Sequence, residues 1–369
     1  MAVDVVGRQG VRSVTTQLFE PAASARGRSV EAPAVVLPDP SLGATKTVIT
    51  SDGITLSVRD HGSPDAAHTV VLLHGWCLNK EAWSIQIGAL IRQWGNNIRI
   101  ISYDHRGHGD SACAAMHTYR IERLAVDLAE LLIALDVNGR LTLAGHSLGG
   151  MTALAYLAIA ERPVEPQTLI LIASAAGKLC ERGLGRLLAT PASRILYEVV
   201  QRAPRAAADD VIRVLARPMC TAATRYGGYG AAAREALVTL SAASINNTAL
   251  TTKVGFLPAL KTYDQYRTLG SITAKTIVIS GGADRLTPLC HARDLAAGIP
   301  DAVLVYRPSA GHMLLHETPR LVTEAISRAI ALGAQLHGVG EELWCRRLHD
   351  ELAPTPLLSS RQSRALQGA

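Results

Sequence analysis

No stretch of the 369-residue sequence approaches the ~18 to 20 consecutive apolar residues that a membrane helix needs. Even the run 151–160 ends at Glu161. A transmembrane segment is therefore not expected. The first thirty residues hold Arg8, Arg12, Arg26 and Arg28 but neither an apolar core nor a small-residue cleavage site, unlike a secretory signal. The cytoplasm is the expected location. Cysteine is sparse as well, with six residues at 77, 113, 180, 220, 290 and 345 and no C-x-x-C pair, so neither a zinc site nor a disulfide framework is expected. Charged residues are only 18% of the chain against 48% apolar, which excludes a disordered or collagen-like protein. Internal repeats are absent.

The net charge of +6 is unevenly placed. Residues 1–45 carry four basic and four acidic side chains, and residues 335–369 carry four of each. Residues 174–274 hold thirteen Lys plus Arg against six Asp plus Glu, an excess of +7. That stretch has no aromatic stacking motif or recognised nucleic-acid module, so nucleic-acid binding is not expected. Its Arg182, Arg186, Arg194, Arg202, Arg205, Arg213 and Arg217 could share an outer face that makes transient contact with an anionic membrane surface. The plainer reading is a solvated surface that aids solubility.

Residues 1–45 are rich in Ala, Pro, Ser, Gly and Arg without sustained periodicity and read as a flexible extension. Two β-prone runs, 47–50 and 54–60, follow, joined by Ser51-Asp52-Gly53, a hairpin signal. Further runs at 69–73, 98–103, 141–144, 169–173, 277–280 and 303–306 are β-branched or Leu-rich and nearly continuous, as strands covered on both faces must be. Helical patterns separate most of them. In 119–135, Ile121, Leu124, Leu128, Leu131 and Leu135 recur at helical spacing, with Thr118 placed to cap the first turn. Alternation of this kind implies an α/β fold with a mainly parallel sheet. About a hundred residues, 174–274, have helical patterns but no strand, with Val211, Val214 and Leu215 on one face and Ala236, Leu237 and Leu240 on another. They read as an inserted helical cap. Beyond residue 334, Trp344, Leu348 and Leu352 mark a short amphipathic stretch in a C-terminal extension.

The sharpest local feature is Gly145-His146-Ser147-Leu148-Gly149, which follows a strand and opens a helix. A serine at such a turn stands clear of the backbone. Without its context the pentapeptide is only a Gly-rich connection. Serine needs a base and an orienting acid. Asp284 follows the strand 277–280, and His312 follows the strand 303–306 beside Gly311. Groups after strand ends emerge at one edge of an open sheet, where α/β proteins bind ligands. His291, His316, His337 and His349 also follow Asp284, but each lies in a helical pattern or in the tail. His146 reads as a packing or hydrogen-bonding residue and His74 as a loop-shaping one.

Taken together, His74-Gly75-Trp76, the segment 103–111, residues 145–149, Gly282-Ala283-Asp284 and Gly311-His312 resemble the α/β-hydrolase superfamily, in its serine esterase and lipase branch with a helical cap. The resemblance spans 46–332. It implies an eight-stranded, mainly parallel sheet flanked by helices, with a core of residues 46–173 and 275–334 and a cap at 174–274. It further implies Ser147 as nucleophile, His312 as base and then acid, and Asp284 as the group that holds the imidazole tautomer. The oxyanion donors implied are the backbone N–H groups of Trp76 and Leu148. Neither a cofactor nor a metal is implied. Lys275 stands where relatives often have Pro. Serine rather than Asp at 147 disfavours epoxide hydrolase and haloalkane dehalogenase chemistry. Segment 103–111, with its Asp, Arg and glycines, could pass for a phosphate cradle, but the family uses it to brace the site.

The expected function is hydrolysis of a carboxylic ester, of a small and hydrophobic substrate, through an acyl-enzyme. The same triad also serves C–C bond hydrolysis, thioester cleavage and perhydrolysis, and some members of the fold are ligand receptors with vestigial turnover.

Overall fold

Alternate residues of a strand point to opposite faces of its sheet, and the apolar runs here fill both. The computed structural model describes residues 2–7, 10–15, 43–202, 244–245 and 247–335. Among the described residues, eight strands lie between residues 44 and 307: β3 (Ala44–Ile49), β4 (Thr55–His61), β5 (His68–Leu73), β6 (Arg99–Tyr103), β7 (Arg140–His146), β8 (Thr168–Ile172), β9 (Lys275–Gly281) and β10 (Val303–Arg307). A hairpin of β1 (Ala2–Gly7) and β2 (Gly10–Thr15), inside the stretch read as an extension, pairs antiparallel with β10. The whole sheet has the order β2-β1-β10-β9-β8-β7-β5-β6-β4-β3.

β5 to β10 run parallel, and β4 and β3 close one edge antiparallel. Val71, Leu73, Leu141, Leu143, Leu169, Leu171 and Val278 pack on one face, with α2 (Ile121–Ala134) and α3 (Leu148–Leu157). Val70, Leu72, Ala144, Ile170, Ile277 and Ile279 pack on the other, with α1 (Ser84–Trp94) and the helix Pro319–Gln335. The fold is thus the expected α/β arrangement of a mainly parallel sheet flanked by helices. β5 lies between β6 and β7, so the strand order reverses there, the kind of switch point outside whose strand carboxyl ends open α/β sheets bind ligands.

Thr118 does not cap α2. Arg120 occupies the N-cap, and the Thr118 hydroxyl donates to Ala115 O at 2.8 Å inside a 3-10 turn. The buried guanidinium of Arg106 donates to the Thr118 hydroxyl oxygen at 3.2 Å, so this side chain is engaged by the turn and by Arg106 rather than by the helix.

Between β8 and β9 the described residues form helices and loops with no strand, joined by one isolated bridge, Gly177 to Asp264. They include α4 (Pro191–Arg202) and the helices Leu250–Gly255, Leu257–Thr262 and Tyr266–Leu269. Arg182 is half-buried and pairs with Asp294 at 2.8 Å, whereas Arg186, Arg194 and Arg202 are exposed. Val211, Val214, Leu215, Ala236, Leu237, Leu240, Arg205, Arg213 and Arg217 lie outside the described residues, as do Trp344, Leu348 and Leu352. Among the described residues no helix is long and apolar enough to cross a membrane.

Candidate active site

β7 passes into α3 through Ser147, whose φ of 52° and ψ of −114° fall where L side chains are rarely found. Such a conformation costs about 1 to 3 kcal/mol and persists only when its surroundings hold it. Two hydrogen bonds do so: Ser147 N donates to Ile172 O at 2.9 Å, and Ser174 Oγ donates to Ser147 O at 2.9 Å. Close packing explains the flanking glycines. A Cβ on Gly145 would lie 2.4 Å from Gly150 N, and one on Gly149 would lie 2.1 Å from Leu73 O. Within residues 141–150, Ser147 alone keeps partial exposure.

Asp284 follows β9 in a tight turn that its own side chain closes. Its Oδ1 accepts from the amides of Leu286 at 2.8 Å and Thr287 at 2.9 Å, and its Oδ2 accepts from the Thr287 hydroxyl at 2.7 Å. His312, after β10, donates from Nδ1 to the same Oδ2 at 2.8 Å. Burial raises the carboxyl pKa, but the charge and hydrogen bond of His312 and the bonds from Thr287 outweigh it and hold it below the usual carboxylate range. Residues 28 positions apart thus meet. Thr287 was not singled out in the sequence, although Asp-x-x-Thr after a strand is a turn signal.

The loop after β5 carries His74, Gly75 and Trp76, and Leu148 opens α3. First-turn amides of a helix have no partner within it, so the Leu148 N–H belongs to the unpaired set and sits beside Ser147. His74 Nδ1 donates to Gly75 O at 2.8 Å, and its Nε2 accepts from His105 N at 3.0 Å. His105 Nε2 donates back to His74 O at 3.2 Å. Burial pushes His74 down to about 4, so it is a neutral clamp between two loops. Buried Lys80 continues the clamp. Its ammonium donates to Asp104 at 2.6 Å and Asp110 at 2.7 Å, and its amide donates to Asp104 Oδ1 at 2.7 Å.

The segment 103–111 is a brace, and its arginine is occupied. Arg106 bonds both oxygens of Asp127, each at 2.6 Å, and both oxygens of Asp52 at 2.9 and 3.0 Å. His291 and His316 lie in the helices Leu289–Gly298 and Leu314–Glu317, buried. His337 and His349 lie outside the described residues. Lys275 opens β9 and donates its amide to Gln167 O at 2.9 Å, a bond that Pro could not make. Among the described residues no group of three or more His, Cys, Asp or Glu is arranged to hold a metal.

The fold has counterparts in known proteins. The model of the alpha/beta hydrolase family matches residues 70–325. The chain is 27% identical over 289 residues to the AB hydrolase superfamily protein YisY of Bacillus subtilis, covering 76% of this chain and 96% of that one. It is 24% identical over 245 residues to a non-heme chloroperoxidase of Burkholderia pyrrocinia, covering 66% of this chain and 84% of that one. Among solved structures, an esterase of Exiguobacterium antarcticum superposes with a TM-score of 0.65 at 23% identity, over 78% of this chain and 100% of that one. The family match covers well over half of the sequence, and the chain belongs to the alpha/beta hydrolase family.

Proposed function

We propose that the protein hydrolyses a carboxylic ester through an acyl-enzyme formed on Ser147. The observation that carries this reading is the 2.8 Å bond from His312 Nδ1 to Asp284 Oδ2, at the sheet edge where the strained Ser147 turn also emerges. The bond leaves His312 Nε2 as the basic nitrogen. Ser147 Oγ attacks the ester carbonyl while His312 Nε2 takes its proton. The tetrahedral oxyanion receives hydrogen bonds from the N–H groups of Trp76 and Leu148. Collapse expels the alcohol, which takes the proton from His312, and water then deacylates the serine by the same steps reversed. Asp284 keeps the imidazole in one tautomer and supports its positive charge. The cycle needs neither metal nor organic cofactor.

Residues 46–173 and 275–334 serve in this reading as the core, and 174–274 as the cap over a hydrophobic acyl or alcohol group. Support comes from Thr248, whose hydroxyl donates to Cys77 O, beside Trp76, at 3.3 Å. A cytoplasmic location accords with Cys113, Cys180 and Cys290, which are in no disulfide.

The test is a labelled fluorophosphonate followed by esters of graded acyl length, on the wild type and Ser147→Ala. The wild type labels and turns over. The alanine variant loses labelling, and hydrolysis falls on the order of 10³-fold or more. Retained labelling would remove Ser147 from its role. A second reading, perhydrolysis, draws on the relative named as a chloroperoxidase. Hydrogen peroxide would replace water at the acyl-enzyme and release a peracid, which a halide-oxidation assay with acetate and peroxide detects.

A further inference from the structure

We infer that His146 is a positioning residue, one that ties the loop of His312 to the nucleophile turn and the oxyanion loop through a single hydrogen bond and its own bulk. The inference rests on the triad proposed above. His146 is the last residue of β7 and directly precedes Ser147. Strand alternation turns its side chain away from the serine, and the ring is buried. There its Nε2 lies 2.9 Å from the backbone oxygen of His312, across 166 residues of sequence. A carbonyl oxygen only accepts, so Nε2 carries the proton and Nδ1 is a bare lone pair.

The other edge of the ring meets the oxyanion loop. A Cβ on Gly75 would lie 2.7 Å from His146 Nδ1, so the backbone one residue before Trp76 rests against the imidazole. One side chain therefore touches the loop of the proposed base and the loop of a proposed oxyanion donor, and is bonded in sequence to the proposed nucleophile. Asp284 alone does not complete the orientation of His312. It fixes Nδ1, while the position of the ring also depends on where the backbone of residue 312 sits. His146 supplies that second anchor.

The chemistry of the anchor also suits the reaction. The two rings are 5.1 Å apart between centroids, and His312 must become an imidazolium during acylation. A Lys or Arg donor in this place would oppose that charge, whereas a neutral imidazole donates without repelling it. Burial, then the neighbouring His312, push His146 down to about 3, so it stays neutral. His316 and Asp284 are the other titratable groups that act on it.

Glutamine can present an amide N–H at nearly the distance of Nε2, whereas methionine fills similar space and donates nothing. The experiment measures single-turnover acylation by a p-nitrophenyl ester, with the substrate dissociation constant, in His146→Gln and His146→Met. Misplacement of a reacting group by about 1 Å lowers a rate on the order of 10²-fold. Acylation by His146→Met should therefore fall by roughly 10- to 100-fold, with substrate affinity within about twofold. His146→Gln should stay within about threefold of wild type and keep the low-field proton signal of the His312–Asp284 bond. Near-ultraviolet circular dichroism checks the fold, and His146→Asn, too short to reach His312 O, replaces methionine if that variant does not fold. Wild-type acylation in the donor-free variant overturns the inference, as does a glutamine variant equally slow. Ser147→Ala, run alongside, separates the two levels: if it still acylates, the triad reading fails whatever His146 does.

Discussion

Thr287 holds Asp284 at both oxygens, its amide on Oδ1 at 2.9 Å and its hydroxyl on Oδ2 at 2.7 Å, the oxygen that His312 Nδ1 also reaches. The carboxylate is therefore aimed before the imidazole arrives. Asp284→Asn should lower hydrolysis on the order of 10³-fold or more, because an amide can stabilise the wrong imidazole tautomer. Thr287→Val keeps the amide bond and removes one of the donors to Oδ2, so a loss of roughly 10- to 150-fold is expected, since a hydrogen bond to a charged group is worth about 1.5 to 3 kcal/mol. Ester turnover by the two variants gives the comparison, and an unimpaired Asn variant would move the acid elsewhere.

Close approach at Gly149 makes a sharper claim. A methyl group there would lie 2.1 Å from Leu73 O, which is backbone and cannot rotate aside. Gly149→Ala should destabilise by about 1 to 3 kcal/mol or more through overpacking, and should displace α3 from β5. Gly270→Ala is the control, with φ of −68° and open space around it, and should lie within about 0.5 kcal/mol of wild type. Urea unfolding of both settles the contrast.

Arg106 and Asp127 are both buried, and the arginine bonds both carboxylate oxygens. Removing one partner leaves a buried charge uncompensated, at a cost of about 3 to 5 kcal/mol. Arg123 also donates to Asp127 Oδ1, at 3.0 Å, so Arg106→Met should fall at the low end. The double variant Arg106→Met/Asp127→Leu should be more stable than Arg106→Met alone. Equal unfolding midpoints for the two would contradict a buried pair.

Acid stability follows from histidines that fold away neutral. Burial is the largest cause in each case, and it pushes His68, His74 and His291 down to about 4 and His108 and His146 down to about 3. In the unfolded chain they titrate near 6.5. Below about 6.5 the unfolded state therefore binds more protons, and stability falls as pH falls. Their contribution is fully present above about 6.5 and is lost toward 3 to 4. Urea midpoints measured from pH 8 to pH 4 should be flat at first and then drop, and His68→Gln should reduce the slope.

The strands β5 to β10 and the placement of Ser147, Asp284 and His312 after strand ends were legible in the sequence, because apolar runs and turn residues act within a few positions. The same holds for α2, whose leucines recur at helical spacing. Its cap was not legible, since the buried fork of Arg106 competes for the Thr118 hydroxyl. The pairing of Asp284 with His312 was implied by the resemblance, whereas the contact of His146 with His312 O came only with the tertiary structure. The 28 residues from Asp284 to His312 and the 166 from His146 to His312 O are bridged by strand order, a property of the whole sheet that no local pattern carries. Lys80 illustrates the difference most plainly. In sequence it is one more surface-type lysine, and only the packing of the loop after β5 against the loop after β6 buries it between Asp104 and Asp110. Local physics chooses elements and turns, whereas desolvation and charge pairing are settled only when distant segments close on each other.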